Sequence, residues 1–165
     1  MKRKKFLRLR ERFSRRGNSF VYLDESGFEP EATRQYARAL RGQKVHGKRS
    51  GHKRPRTSLI AARMDSGFEA PVLFTGNCNT AFFNAWLSKE LQPLLNKNHV
   101  VVMDNVPFHK GLKTREIITE TGAKILFLPP YSPDLNPIEQ DFATIKKIRE
   151  YNEHETLDNI VKNYN

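Results

Sequence analysis

The chain has 165 residues, 38% of them hydrophobic, which is enough for one compact domain with its own core. Twenty-nine Lys and Arg outweigh eighteen Asp and Glu, for a net charge of +11, and no apolar run reaches the roughly 18 residues that a membrane-crossing helix needs. One cysteine, Cys78, excludes an internal disulfide, and the five histidines show no zinc spacing, so a reducing, cytoplasmic setting is expected.

The N-terminal MKRKKFLRLRERFSRR is charged but has no apolar run behind it, so it does not read as a secretory signal. Phe6, Leu7, Leu9 and Phe13 give it a partial apolar stripe, and Gly17-Asn18 ends it. Residues 1–19 are therefore expected to form a basic helical arm or linker. Phe20 to Leu23 reads as a short strand that delivers Asp24 at its C-terminal end. Residues 34–56, with Gly42, Gly47, Gly51 and Pro55 among nine basic residues, read as a long loop or exposed hairpin. Thr57 to Met64 and Phe68 to Phe74 flank Asp65-Ser66-Gly67 and predict a hairpin.

Phe83, Trp86, Leu87, Leu91, Leu94 and Leu95 recur at helical spacing and predict a helix over 80–95, its last turn disturbed by Pro93. The run HVVVM (99–103) has the β-branched content of a buried central strand, with Asp104 just past its end. A helix over 112–121 capped by Gly122, a fifth strand over 124–128, a rigid turn PPYSPDLNP (129–137) and an amphipathic helix marked by Ile138, Phe142, Ile145 and Ile148 complete the chain. The expected class is α/β.

The charge is concentrated. Residues 1–16 carry +8 and residues 34–56 carry +9, which leaves −6 on the remainder. Two basic segments on an acidic body read as a polyanion binder, with Arg41, Lys44, Lys48, Arg49, Lys53, Arg54 and Arg56 as candidate DNA contacts. A solubilising tail, or contact with RNA or acidic lipid, is the alternative.

Asp24 and Asp104 each stand where an apolar strand ends, and open α/β sheets build sites there. Either alone is explained as a turn cap. Glu139 has a local explanation too: with Asn136 as N-cap and Pro137 as first helical residue, it completes a capping box. Chemistry supplies another reason for three carboxylates, because phosphodiester transfer needs charge neutralised on the attacking and leaving oxygens, and two metal ions do this. Glu25 should point to the opposite face from Asp24 if the strand continues. Asp134 is expected to brace the proline turn, and Asp141 to lie on another side of the last helix.

The segments LDESGF (23–28), MDNVPFH (103–109) and PPYSPDLNPIE (129–139) resemble the three blocks of the insertion-sequence-630 and mariner superfamily of DDE transposases. The 34 residues between Asp104 and Glu139 match members with a terminal Glu, and GQKVHGKRSG (42–51) and SLIAA (58–62) resemble the connecting region. The likeness covers about residues 20–150 and implies a ribonuclease-H-like fold, a mixed five-stranded sheet flanked by helices, with 151–165 as a C-terminal tail.

The resemblance further implies that Asp24, Asp104 and Glu139 bind two Mg2+ or Mn2+ ions. It implies cleavage at transposon ends and strand transfer to target DNA by a nucleoid-associated homodimer. By the same likeness Asn105 orients the second acid and His109 lies near DNA phosphate, or is a locally satisfied loop histidine. Asp141-Phe142 departs from the aromatic pair usual after the Glu, and Asp141 is expected to disturb the helix. The helix-turn-helix module that family members carry upstream is expected from a separate reading frame, or the chain is a decayed copy. A structure-specific nuclease and a non-catalytic DNA-binding regulator are the competing functions.

Overall fold

The computed structural model describes residues 2–29, 40–44, 56–152 and 154–164. The basic residues Lys48, Arg49, Lys53 and Arg54 lie outside them.

Five strands form one mixed sheet in the order β3-β2-β1-β4-β5. They are β1 (Ser19–Phe28), β2 (Thr57–Met64), β3 (Gly67–Thr75), β4 (His99–Met103) and β5 (Lys124–Phe127). The β1–β2 and β2–β3 pairs are antiparallel, whereas β4 runs parallel to both β1 and β5. Each parallel step is made through a helix, as a parallel connection requires. The helices are α1 (Lys2–Ser14), α2 (Thr80–Trp86), α3 (Leu112–Glu120), α4 (Ile138–Tyr151) and α5 (Leu157–Lys162).

Both faces of the sheet are covered. Val21, Leu23, Ile60, Ala62, Val101 and Met103 pack with Phe83 and Trp86 of α2 and Ile117 and Ile118 of α3. On the other face Phe28, Leu59 and Ala61 meet Ile138, Phe142 and Ile145 of α4 and Ile160 and Val161 of α5. Val100, Val102 and Leu126 on that face meet Phe6 of α1. This explains why β2 and β4 read as continuous apolar runs rather than alternating ones.

Several boundaries differ from the sequence expectations for identifiable reasons. The helix from Thr80 loses α geometry at Leu87, well before Pro93. A π-turn spans Leu87–Leu91, and a 3-10 turn follows at Gln92–Leu94. Proline cannot donate to the carbonyl four residues back and its ring crowds it. The amide of Gln92 bonds Leu87 O, so the shift is absorbed by a widened turn. The N-terminal arm is helical as expected (α1) and its apolar stripe packs on the sheet, while the segment expected as a C-terminal tail carries α5, which also joins the core. Asp141 does not disturb α4. It is buried, accepts a hydrogen bond from Arg63 at 2.9 Å and another from the Tyr164 hydroxyl at 2.8 Å, and ties α4 to β2 and the C-terminal segment.

Candidate active site

β1 continues past Asp24 to Phe28 because β2 supplies a partner along that length, with Asp24 opposite Ala61 and Phe28 opposite Thr57. Pairing with β4 stops at Tyr22–Val102. Asp24 is therefore interior to the strand on its β2 side and free of the ladder on its β4 side, where the chain opens after Met103. Asp104 follows β4 at that opening, and Glu139 lies in the first turn of α4. The three carboxylates line one cleft of about 450 Å³, together with Asn105, Asn136 and the PPYSP turn.

The capping-box explanation of Glu139 does not hold. Asn136 carries no cap: its own amide bonds Pro133 O at 2.9 Å, and its side-chain Nδ2 donates to Asp24 Oδ2 at 2.9 Å. Asn136 is buried, and its Oδ1 has no hydrogen-bond partner. A residue whose type and position suit a helix N-cap is instead spent on the first acid, across 112 positions of sequence.

Burial pushes the Asp24 carboxyl up to about 7. The Glu25 amide bond opposes this, and the negative charges of Glu25, Glu139 and Asp104 add to it. Asp24 thus sits in a surplus of negative charge that a cation would relieve. Among the described residues no three His, Cys, Asp or Glu converge into a ready metal cage. Magnesium commonly takes only one or two carboxylates and completes its oxygen shell with water and substrate phosphate. The all-oxygen donor set and the strained charge of Asp24 fit such an ion.

Of the two supporting residues, His109 follows the second expectation, a histidine satisfied locally, whereas no hydrogen bond joins Asn105 to Asp104 among the described residues. His109 is fully buried in a 3-10 turn (Pro107–Lys110), so it is not exposed to meet a phosphate. Its Nδ1 stands 2.6 Å from Asp104 Oδ1, its Nε2 stands 3.1 Å from Glu25 Oε1, and its ring lies against Phe83 with centroids 4.3 Å apart. Burial lowers its pKa, but the hydrogen bonds and charges of Asp104 and Glu25 outweigh that and push it up to about 9. Asn105 is exposed on the cleft, while Asp104 Oδ1 takes its hydrogen bonds from His109 and, at 3.4 Å, from the Val106 amide.

Of the basic residues, Arg41, Lys44 and Arg56 are exposed. The Arg56 guanidinium lies against Gly27, where a side-chain carbon would stand 1.9 Å from it, so a larger residue there would displace the guanidinium. Tyr131 escaped the sequence reading. It is fully exposed on the rim of the cleft with φ at 53°, a left-handed conformation uncommon for a bulky residue. Asp134 does more than brace its turn, since it pairs with Arg3 of α1.

A mixed sheet in this order, with helices on both faces and an acid-lined cleft beside its central strands, is the ribonuclease-H-like fold. A family model described as DDE superfamily endonuclease matches residues 19–161, and the chain belongs to that family. No curated protein matches it by sequence. Among solved structures it is similar to the mariner Mos1 paired-end complex with Mg, at 21% identity and a TM-score of 0.71 over 89% of this chain and 47% of that one. The Mos1 transposase paired-end complex with left transposon end gives 20% and 0.68 over 90% and 47%. The catalytic core domain of BIV integrase gives 13% and 0.52 over 88% and 80%. The chain thus spans about half the length of the Mos1 chains it matches, and at these identities the likeness is one of fold.

Proposed function

We propose that this chain is the catalytic domain of a DNA transposase, cutting phosphodiester bonds at transposon ends and joining the freed 3′-hydroxyl to target DNA. The observation that carries the proposal is the placement of Asp24, Asp104 and Glu139, from a strand, a strand end and a helix start, around one cleft. The raised pKa of Asp24 registers the charge of the other two.

In this reading the three carboxylates supply oxygens to Mg2+ or Mn2+, two ions being the proposed complement. The bound metal would neutralise charge on the attacking and leaving oxygens of the phosphodiester. Asn136 holds Asp24 by its Oδ2. Arg41, Lys44 and Arg56, with Lys48, Arg49, Lys53 and Arg54 of the same segment, carry the positive charge that would track DNA phosphates. A homodimer on paired ends, an upstream helix-turn-helix module and a nucleoid-associated cytoplasmic location complete the proposal. The Mos1 structures named for paired ends support the DNA partner by analogy.

The test is nicking of supercoiled plasmid by the purified chain with Mg2+ or Mn2+, and cleavage of a duplex carrying the inverted-repeat ends of its own element. Metal-dependent nicking lost in Asp24→Ala, Asp104→Ala and Glu139→Ala, with cuts at defined ends, is expected. DNA binding with no cleavage under either metal would overturn the catalytic reading in favour of a regulator. Cleavage that ignores the ends would favour a structure-specific nuclease.

A further inference from the structure

Asp24 and Glu25 are consecutive on β1 and therefore face opposite sides of the sheet. Asp24 lies on the α4 side, held by Asn136. Glu25 lies on the α2 side, where its carboxylate faces His109 Nε2 at 3.1 Å. His109 passes between the two levels. It is fully buried, backed by Phe83, and its other nitrogen stands 2.6 Å from Asp104 Oδ1. Each ring nitrogen therefore faces a carboxylate oxygen, Nδ1 that of Asp104 and Nε2 that of Glu25. Among the described residues, the hydrogen bonds to the Asp104 side chain fall on Oδ1.

We propose that Glu25 and His109 form a positioning pair that fixes the rotamer of Asp104, so that its carboxylate is aimed before a metal arrives. Glu25 thereby becomes a working residue of the site although it does not line the cleft. The arrangement follows the physics of outer partners in metal sites, where a group bonded to a ligand fixes its orientation and strengthens it. It rests on the reading of Asp104 as a metal ligand. Glu25 also borders Cys78, whose thiol is pushed up to about 12 by burial and by the Glu25 charge.

The experiment measures Mn2+ affinity of the full chain by calorimetry and by loss of the free-ion electron paramagnetic resonance signal, without DNA. Glu25→Ala and His109→Ala are expected to weaken Mn2+ binding about tenfold to a hundredfold. Glu25→Gln, which can still accept from His109, should recover most of the loss, and metal-free DNA affinity should not move. Wild-type Mn2+ affinity in folded Glu25→Ala would overturn the pair. Asp104→Ala separates the two readings, because unchanged Mn2+ binding there means that Asp104 is not a ligand at all. If the alanine variants do not fold, His109→Gln in the full chain decides: weakened Mn2+ binding in the folded variant is expected, and wild-type affinity there would overturn the proposal.

Discussion

At the residue scale, the site is held by charges that are balanced only in part, and this sets how stability follows pH. Asp24 has an ordinary pKa of 3.8 and stands near 7 in the fold. Its proton is favoured by folding, so its contribution is fully present below about 4 and is lost as pH rises through 7. His109 rises from 6.5 to about 9, so its contribution is present below about 6.5 and is lost as pH rises through 9. The two losses follow one another up the scale. The metal-free chain is therefore expected to lose melting temperature from about pH 4 to 9. Saturating Mg2+ or Mn2+ should raise the melting temperature more at pH 8 than at pH 5, because only the ionised Asp24 gains from the cation. Calorimetric melts across this range check it, and Asp24→Asn should flatten the lower part of the curve. Equal metal stabilisation at pH 5 and pH 8 would contradict the assignment of Asp24 as the responding group.

At the element scale, the legible parts were those fixed by local chemistry. HVVVM marked β4 and hence Asp104, because β-branched residues bounded by polar ones fit a strand covered on both faces. The span of β1 beyond Asp24 was not legible, since it exists only because β2 pairs with it as far as Phe28. Asn136 was misread for the same reason. As a cap it needs only its neighbours, whereas its actual partner is Asp24 on another element. His109 could not be placed, because its burial depends on Phe83 and Glu25 arriving from two other segments.

The helix α1 is the further case. Its charge suggested an arm, but Phe6 is 3% exposed and packs with Val100, Val102 and Leu126. Phe6→Ala is expected to cost about 3–5 kcal/mol of unfolding free energy, as buried Phe truncations do. Urea denaturation measures it, and a cost near zero would mean that α1 does not belong to the cooperative unit.

At the scale of the whole molecule, a strongly cationic chain gathers the three carboxylates of the proposed site in one cleft. Affinity for DNA is expected to come from the basic segments and reactivity from the acids. Each neutralised phosphate should contribute about −0.9 to the slope of log affinity against log salt. Replacing Arg41, Lys44 and Arg56 together by Ala should make that slope shallower by about 2–3. Fluorescence anisotropy with duplex DNA over a salt series is the check, and an unchanged slope would route the DNA elsewhere.

One consequence belongs to β1. Its leading residues Phe20, Val21, Tyr22 and Leu23 are all apolar and both sides of the strand are roofed by helices, so hydrophobicity discriminates weakly between neighbouring registers. The two acids that follow do discriminate. Loss or gain of one codon ahead of Asp24 would present Glu25 to the α4 side and leave His109 without its partner. The order Asp24-Glu25 thus decides which acid meets Asn136 and which meets His109.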